Sequence, residues 1–484
     1  MGFGDDFLFE THHFMLGLLV LFFVFFGWRD LRAKSTEPLK RVSTTFGICF
    51  LAITFIGLSG YFYTNWGNVG LILGILNAAL ITISLYDPKF AVSFFVFTLI
   101  SRPWEFMRDD LYMSFPRDIF FICLASFLVH RLIRRKFYFQ WNKISALVFM
   151  YASWVFLSNF VTVDVVRSLI EYNEVFIKGI MVYFLIVNVI DKKEYIRPVQ
   201  SALVVAILEK AIISFHSSVI LGIVADGDRL TSVGILENSN DIAAIMILLI
   251  PFAVYLNSAL SRGLLKYMLN LIVISFLTYL IWEAKSRGAI LGVGMFFAGL
   301  YWLNDKNRKR ANILIMLGAL ALIGMVMSVD RKAEDIEGST SNRKIYWTAG
   351  VNMAIRQPVF GVGYNNFPLR LLEFTNGHVG TEGKYKTIHS TWLLALAESG
   401  FPGFIFYLGI WLFCLKASWN MRVVHPEYIL AVLSYGTAIS FLSHTYMLYP
   451  WILLALITAS SKFYIYSEVR KTEKVAPRAE AVYA

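Results

Sequence analysis

Charge is scarce in this sequence. Asp, Glu, Lys and Arg make up 16% of its 484 residues, where a soluble domain carries roughly 25%. That excludes an ordinary soluble globular protein. Cysteine is scarcer still: Cys49, Cys123 and Cys414 are the three present, each inside or bordering an apolar run. Such placement excludes a disulfide framework or a cysteine metal cluster, and the three read as small buried hydrophobes. No nucleic-acid motif accompanies the net charge of +11, so that excess does not point to nucleic acid. No convincing internal repeat occurs, which argues against a transporter built from repeated halves. The first apolar run lacks a basic leader and a small-residue cleavage site, and reads as a permanent helix.

What the chain has in abundance is apolar length. Hydrophobic residues form 57% of it, and runs of about 18 or more recur nearly end to end, each long enough to cross a bilayer as a helix. The expected fold class is all-α, a polytopic transmembrane bundle, because an open sheet cannot satisfy its backbone in lipid. Candidate spans fall near 14–28, 44–62, 69–86, 89–101, 118–133, 144–161, 175–190, 199–224, 240–259, 267–283, 288–303, 311–328, 402–417, 428–444 and 450–466. The 89–101 run is short for a full crossing, so the expectation is about 12 to 15 spans.

Charge bias orients the spans. Arg29, Arg32, Lys34, Lys40 and Arg41 follow the first run and mark a cytoplasmic loop, with the N-terminus outside. Alternation then puts Arg131 to Lys136, Lys192 to Arg197, Arg262 and Lys266, Lys306 to Arg310 and the tail from Arg470 on the inside. The expected organisation is N-terminal transmembrane helices over 1–220, helices carrying the candidate arginines over 221–328, a long outer segment over 329–400, which the resemblance described below implies is periplasmic, C-terminal helices over 401–467 and a cytoplasmic tail over 468–484.

The same alternation leaves Arg229, Lys285 and Arg287 on the outer side, against the usual bias. Cations kept there suggest an anion to be bound. Bland readings compete with this: a salt bridge of Arg229 to Asp226 or Asp228, and a snorkelling Arg287 paired with Glu283. In the long outer segment, Tyr346, Trp347, Gly350, Val351 and Ala354 of RKIYWTAGVNMAIRQP share a helical face, which predicts an amphipathic helix, with the membrane surface as one place for it. STWLLALAESG predicts a short helix after His389, capped by Ser390 or Thr391 and closed by Gly400. A histidine at a helix N-terminus is favoured neutral, and a neutral imidazole can accept a proton. His378, His444 and the RPWEF stretch are weaker candidates, while His216 reads as a packed core residue.

Four blocks resemble the O-antigen ligase and polymerase superfamily: Arg229, Gly234, Glu237, Asn240 and Asp241 ahead of an apolar run ending at Pro251; KSRGA at 285–289; Arg343 and Trp347 running on through QPVFGVGYNNF; and HSTWLLALAESGFPG. Order and spacing match over roughly residues 220–420. The resemblance implies a glycosyltransferase of the bacterial inner membrane with its site facing the periplasm. Its donor would be a glycan on undecaprenyl diphosphate, and its acceptor lipid A core, another glycan or a protein. No metal, cofactor or nucleotide sugar is implied. By position, Arg229 and Arg287 map to diphosphate-binding arginines, His389 to the general base, and Arg343 less directly to a loop arginine; Lys285 is a further candidate ligand. The residue chemistry agrees, since a diphosphate leaving group needs several cations. A repeat-unit polymerase would use the same residues as a ligase, and a transporter is the contrasting alternative.

Overall fold

The structure is a computed structural model. It describes residues 79–102, 115–133, 138–225, 228–232, 234–260, 263–304, scattered positions between 310 and 318, 333–375 and 386–480. The expected spans at 14–28 and 44–62 and most of 69–86 and 311–328 lie outside them, as do His378, Asp226 and most of RPWEF.

The chain is 82% helical with no strand among the described residues, which bears out the all-α reading. In chain order the α-helices are α1 Pro88–Ser101, α2 Phe115–Ile133, α3 Lys143–Ser158, α4 Val165–Glu171, α5 Ile177–Val189, α6 Ile196–Phe215 and α7 Ser239–Leu260. There follow α8 Gly263–Glu283, α9 Arg287–Asn304, α10 Ala333–Arg356, α11 Phe367–Phe374, α12 Thr391–Asn420, α13 Pro426–Ile439 and α14 Leu448–Glu480. Among the described residues, five stretches are long and apolar enough to cross a membrane: 143–161, 193–220, 239–257, 263–283 and 391–420. Each overlaps an expected span. α1 is a shorter apolar helix, as the 89–101 run predicted.

Two compact units divide the chain, 1–139 with 194–206, and 140–193 with 207–484. In the first, α1 lays Phe95 against Phe120 of α2 with ring centroids 5.8 Å apart. The second unit holds Arg229, Lys285, Arg287, Arg343 and His389. Within it, α9 packs on α13 through glycines. A Cβ at Gly292 would stand 2.8 Å from the Ser434 carbonyl oxygen, and one at Gly288 would meet the Phe441 ring at 3.2 Å. Small residues at such a seam let backbones meet, as in membrane helix pairs.

Three expectations about the outer segment are refined. α10 begins at Ala333, ten residues before the RKIYW pattern, because the polar stretch ahead of it carries no apolar period to reveal a helix. Its buried face is Tyr346, Ala349, Gly350, Met353 and Ala354, while Val351 is exposed. The i, i+3, i+4, i+7, i+8 set is the one that shares a face, and it packs on α12. The short helix after His389 is capped by Ser390, whose hydroxyl accepts from the Leu393 amide. It breaks at Gly400, where φ is 66° and ψ −172°, a conformation that needs glycine. The helix beyond the break runs on to Asn420, so the predicted short helix and the 402–417 span form one kinked rod.

Candidate functional site

The site gathers at one end of the second unit, where α7 and α9 begin and α13 ends. Asn238 starts α7: its Oδ1 accepts the Asn240 amide at 2.8 Å, which satisfies one of the helix's unpaired N–H groups. At the head of α9 the Ser286 carbonyl accepts from Ile290 at 2.9 Å, closing the first turn and placing Arg287 within it. A cavity of about 310 Å³ opens here, lined by Asn240, Ser286, Arg287, Gly288, Arg343, Lys344, Trp347, Ala438, Phe441 and Leu442. Three cations therefore border one space, together with the N-terminal ends of two helices, which carry partial positive charge.

The arginines differ in how far the protein already engages them. Nε of Arg287 is buried and has no hydrogen-bond partner among the described residues, an arrangement that leaves a desolvated donor in want of an acceptor. Arg343, on α10, is half-buried; burial, then the Arg287 guanidinium, pulls its pKa below the usual arginine value. Two like charges brought together in this way are stabilised by an anion. Glu283, the partner considered for Arg287, makes no ion pair with it among the described residues.

Arg229 is held differently. Its Nε donates to the Ala284 carbonyl at 3.0 Å and its Nη2 to Oδ1 of Asn240 at 2.9 Å. The Leu230 amide adds a bond to the Glu283 carbonyl at 3.0 Å. The guanidinium thus ties the 228–231 segment to the α8–α9 turn and to a residue that lines the cavity. Arg229 does not itself line it, and Asp228 is not its salt-bridge partner. Lys285 sits in that turn with φ 47° and is likewise outside the lining.

His389 stands beside the cavity without lining it. Its φ is 52°, and it is half-buried. Its amide donates to Ser443 Oγ at 3.1 Å, while the preceding carbonyl, of Ile388, accepts from Trp347 Nε1 at 3.1 Å. Burial, the Arg343 guanidinium and Lys386 push its pKa down to about 4, and the Asp241 carboxylate opposes that shift. The imidazole is therefore neutral at physiological pH, in the form that can take a proton.

Sequence reasoning missed several groups. Lys344 follows Arg343 directly and shares the cavity, yet adjacency alone gave no sign of it. Trp347 reads from the sequence as part of a helical face and of a resembling block, not as a lining residue. His444, a weak cavity candidate, is fully buried and bonded to Asp241, and it does not line this cavity.

No curated protein matches this chain. The family model Wzy_C, described as O-antigen ligase, matches residues 246–408. That stretch carries Lys285, Arg287, Arg343 and His389; Arg229, Asp241 and His444 fall outside it. The match runs from α7 into α12, and it is this part of the chain that is similar to the O-antigen ligase family.

Proposed function

We propose that the protein is a lipid-linked glycan transferase of the inner membrane, working at the periplasmic face. It moves a glycan from undecaprenyl diphosphate to an acceptor hydroxyl, on lipid A core, another glycan or a protein. Arg287 and Arg343 bind the diphosphate at the cavity, with Lys344 adding charge. Arg229 supports them through Asn240 and the α8–α9 turn, and Lys285 adds positive potential from that turn. His389 is the general base.

The observation that carries this reading is the convergence of Arg287, with its unpartnered buried Nε, and Arg343 on one cavity, with a neutral His389 beside them. Guanidinium is always charged and bidentate, which suits a diphosphate. Cations fixed where charge develops on the leaving group lower the barrier without a metal. A base held beside the acceptor hydroxyl completes the set.

The test is transfer by the purified full-length protein, supplied with an undecaprenyl-diphosphate glycan and candidate acceptors in EDTA. Product is expected. His389→Ala should abolish product while the donor still binds. A strict Mg²⁺ requirement, or full activity in His389→Ala, contradicts the reading. A carrier with an incidental histidine would be little affected by that substitution.

A further inference from the structure

The transfer reading leaves one hydrogen-bonded carboxylate–imidazole pair without a task. Asp241, next in sequence to the cavity-lining Asn240, meets His444 Nε2 through Oδ1 at 3.0 Å. His444 Nδ1 meets the Tyr435 hydroxyl at 2.8 Å. With that hydroxyl donating to Nδ1, Nε2–H donates to the carboxylate. Both ring nitrogens are engaged and the His444 ring is fully buried, as is Tyr435. Neither can touch a substrate. The Asp241 side chain keeps 15% exposure.

The same turn that grips Asp241 also grips the base. Ser443 Oγ accepts the His389 amide at 3.1 Å, and the His444 amide donates to Thr391 Oγ1 at 3.0 Å, two residues past His389. The charged groups acting on His389 are Arg343 from α10, Lys386 from its own segment and Asp241 from α7. Asp241 is the negative one among them.

We propose that Asp241 is a positioning residue for the transfer, fixed by the His444–Tyr435 pair so that its carboxylate offsets the charge His389 gains as it takes the acceptor's proton. This rests on the transferase reading. In the step, the acceptor oxygen bonds to the anomeric carbon. The bond from that carbon to the diphosphate oxygen breaks, and its electron pair leaves on the diphosphate. The acceptor's proton passes to the His389 imidazole, which becomes a cation beside Arg343 and Lys386. Those cations oppose it. A carboxylate already in place counters them with no reorganisation at the moment of reaction.

The experiment uses full-length protein in lipid nanodiscs with an undecaprenyl-diphosphate glycan and an acceptor. Asp241→Asn should lower kcat about 10-fold or more, the scale of a lost electrostatic contact in a dry site, with donor KM unchanged. Removing the anion lowers the His389 pKa, so the acid limb of the rate–pH profile should move to lower pH. Asp241→Glu should recover part of the rate. An unchanged kcat in Asp241→Asn overturns the proposal. So does a loss of donor affinity that accounts for the lost rate while the acid limb stays in place. If Asp241→Asn does not fold, His444→Gln and Tyr435→Phe, which keep the carboxylate, decide the matter: a lower kcat at constant donor KM supports the proposal, and unchanged kinetics overturn it. Wild type and His389→Ala run alongside. No transfer by wild type sinks the underlying reading, whereas normal transfer by wild type and Asp241→Asn alike sinks only the role of Asp241.

Discussion

Trp347 Nε1 donates to the Ile388 carbonyl at 3.1 Å, and so fixes the peptide that leads into His389. On the other side Ser443 takes the His389 amide. Between these two bonds His389 sits at φ 52°, in the left-handed region that costs a side-chain-bearing residue on the order of 1–2 kcal/mol. The surroundings hold a conformation the chain would not choose, in the residue just ahead of the Ser390 cap of α12.

Trp347→Phe keeps most of the ring and deletes that bond. It leaves the buried Ile388 carbonyl unpaired, a loss of about 1–3 kcal/mol. We expect kcat to fall about 5- to 10-fold, the factor that about 1 kcal/mol of misplacement gives, with a smaller change in donor KM. Steady-state kinetics on both substrates check this.

Arg287 and Arg343 should act on the donor. Alanine at either should weaken donor binding about 10- to 100-fold, in line with about 1.5–3 kcal/mol for a hydrogen bond to a charged group. Arg343→Lys should recover only part of it, since an ammonium lacks the planar fork. Direct binding of undecaprenyl diphosphate to each variant measures the effect.

The pH dependence follows from His389. Its folded pKa of about 4 lies below the ordinary 6.5, so between those values the unfolded chain binds more protons. Stability therefore rises with pH across that window and falls as pH drops through it toward 4. In catalysis the acid limb of kcat/KM, which reports the free enzyme, should lie near pH 4. Arg343→Gln removes a cation and should move that limb upward. Rate–pH profiles of the two proteins decide the sign.

Much of this arrangement was legible beforehand, for identifiable reasons. The spans at 144–161, 240–259 and 267–283 declare themselves by length and apolarity alone. Ser390, His389 and Gly400 lie in a run whose cap and terminator chemistry is local. What stayed hidden depends on long-range packing. Asp241 and His444 are 203 residues apart, and no periodicity links them. Arg229 read as a substrate ligand from its outward charge, but its two bonds to Ala284 and Asn240 arise only when α7 meets the α8–α9 turn. The start of α10 carries no apolar stripe, so its helix is set by continuity with the packed turns that follow.

The α9–α13 seam gives a test of how Arg287 is placed. Gly292→Val would drive a side chain into the Ser434 carbonyl, 2.8 Å from the ideal Cβ. Overpacking of this kind costs about 1–3 kcal/mol. α9 should shift away from α13, and Arg287, five residues toward its N-terminus, should shift with it. We expect a lower thermal midpoint in detergent together with weaker donor binding, while Gly318→Ala, whose ideal Cβ meets no atom among the described residues, leaves donor binding unchanged and does not lower the midpoint.

The most direct measurement is a structure of the His389→Ala protein with an undecaprenyl-diphosphate glycan bound. The account predicts the pyrophosphate oxygens within hydrogen-bond reach of the Arg287 and Arg343 guanidinium groups, with the anomeric carbon turned toward position 389. A pyrophosphate seated elsewhere, with both guanidinium groups untouched, would contradict it.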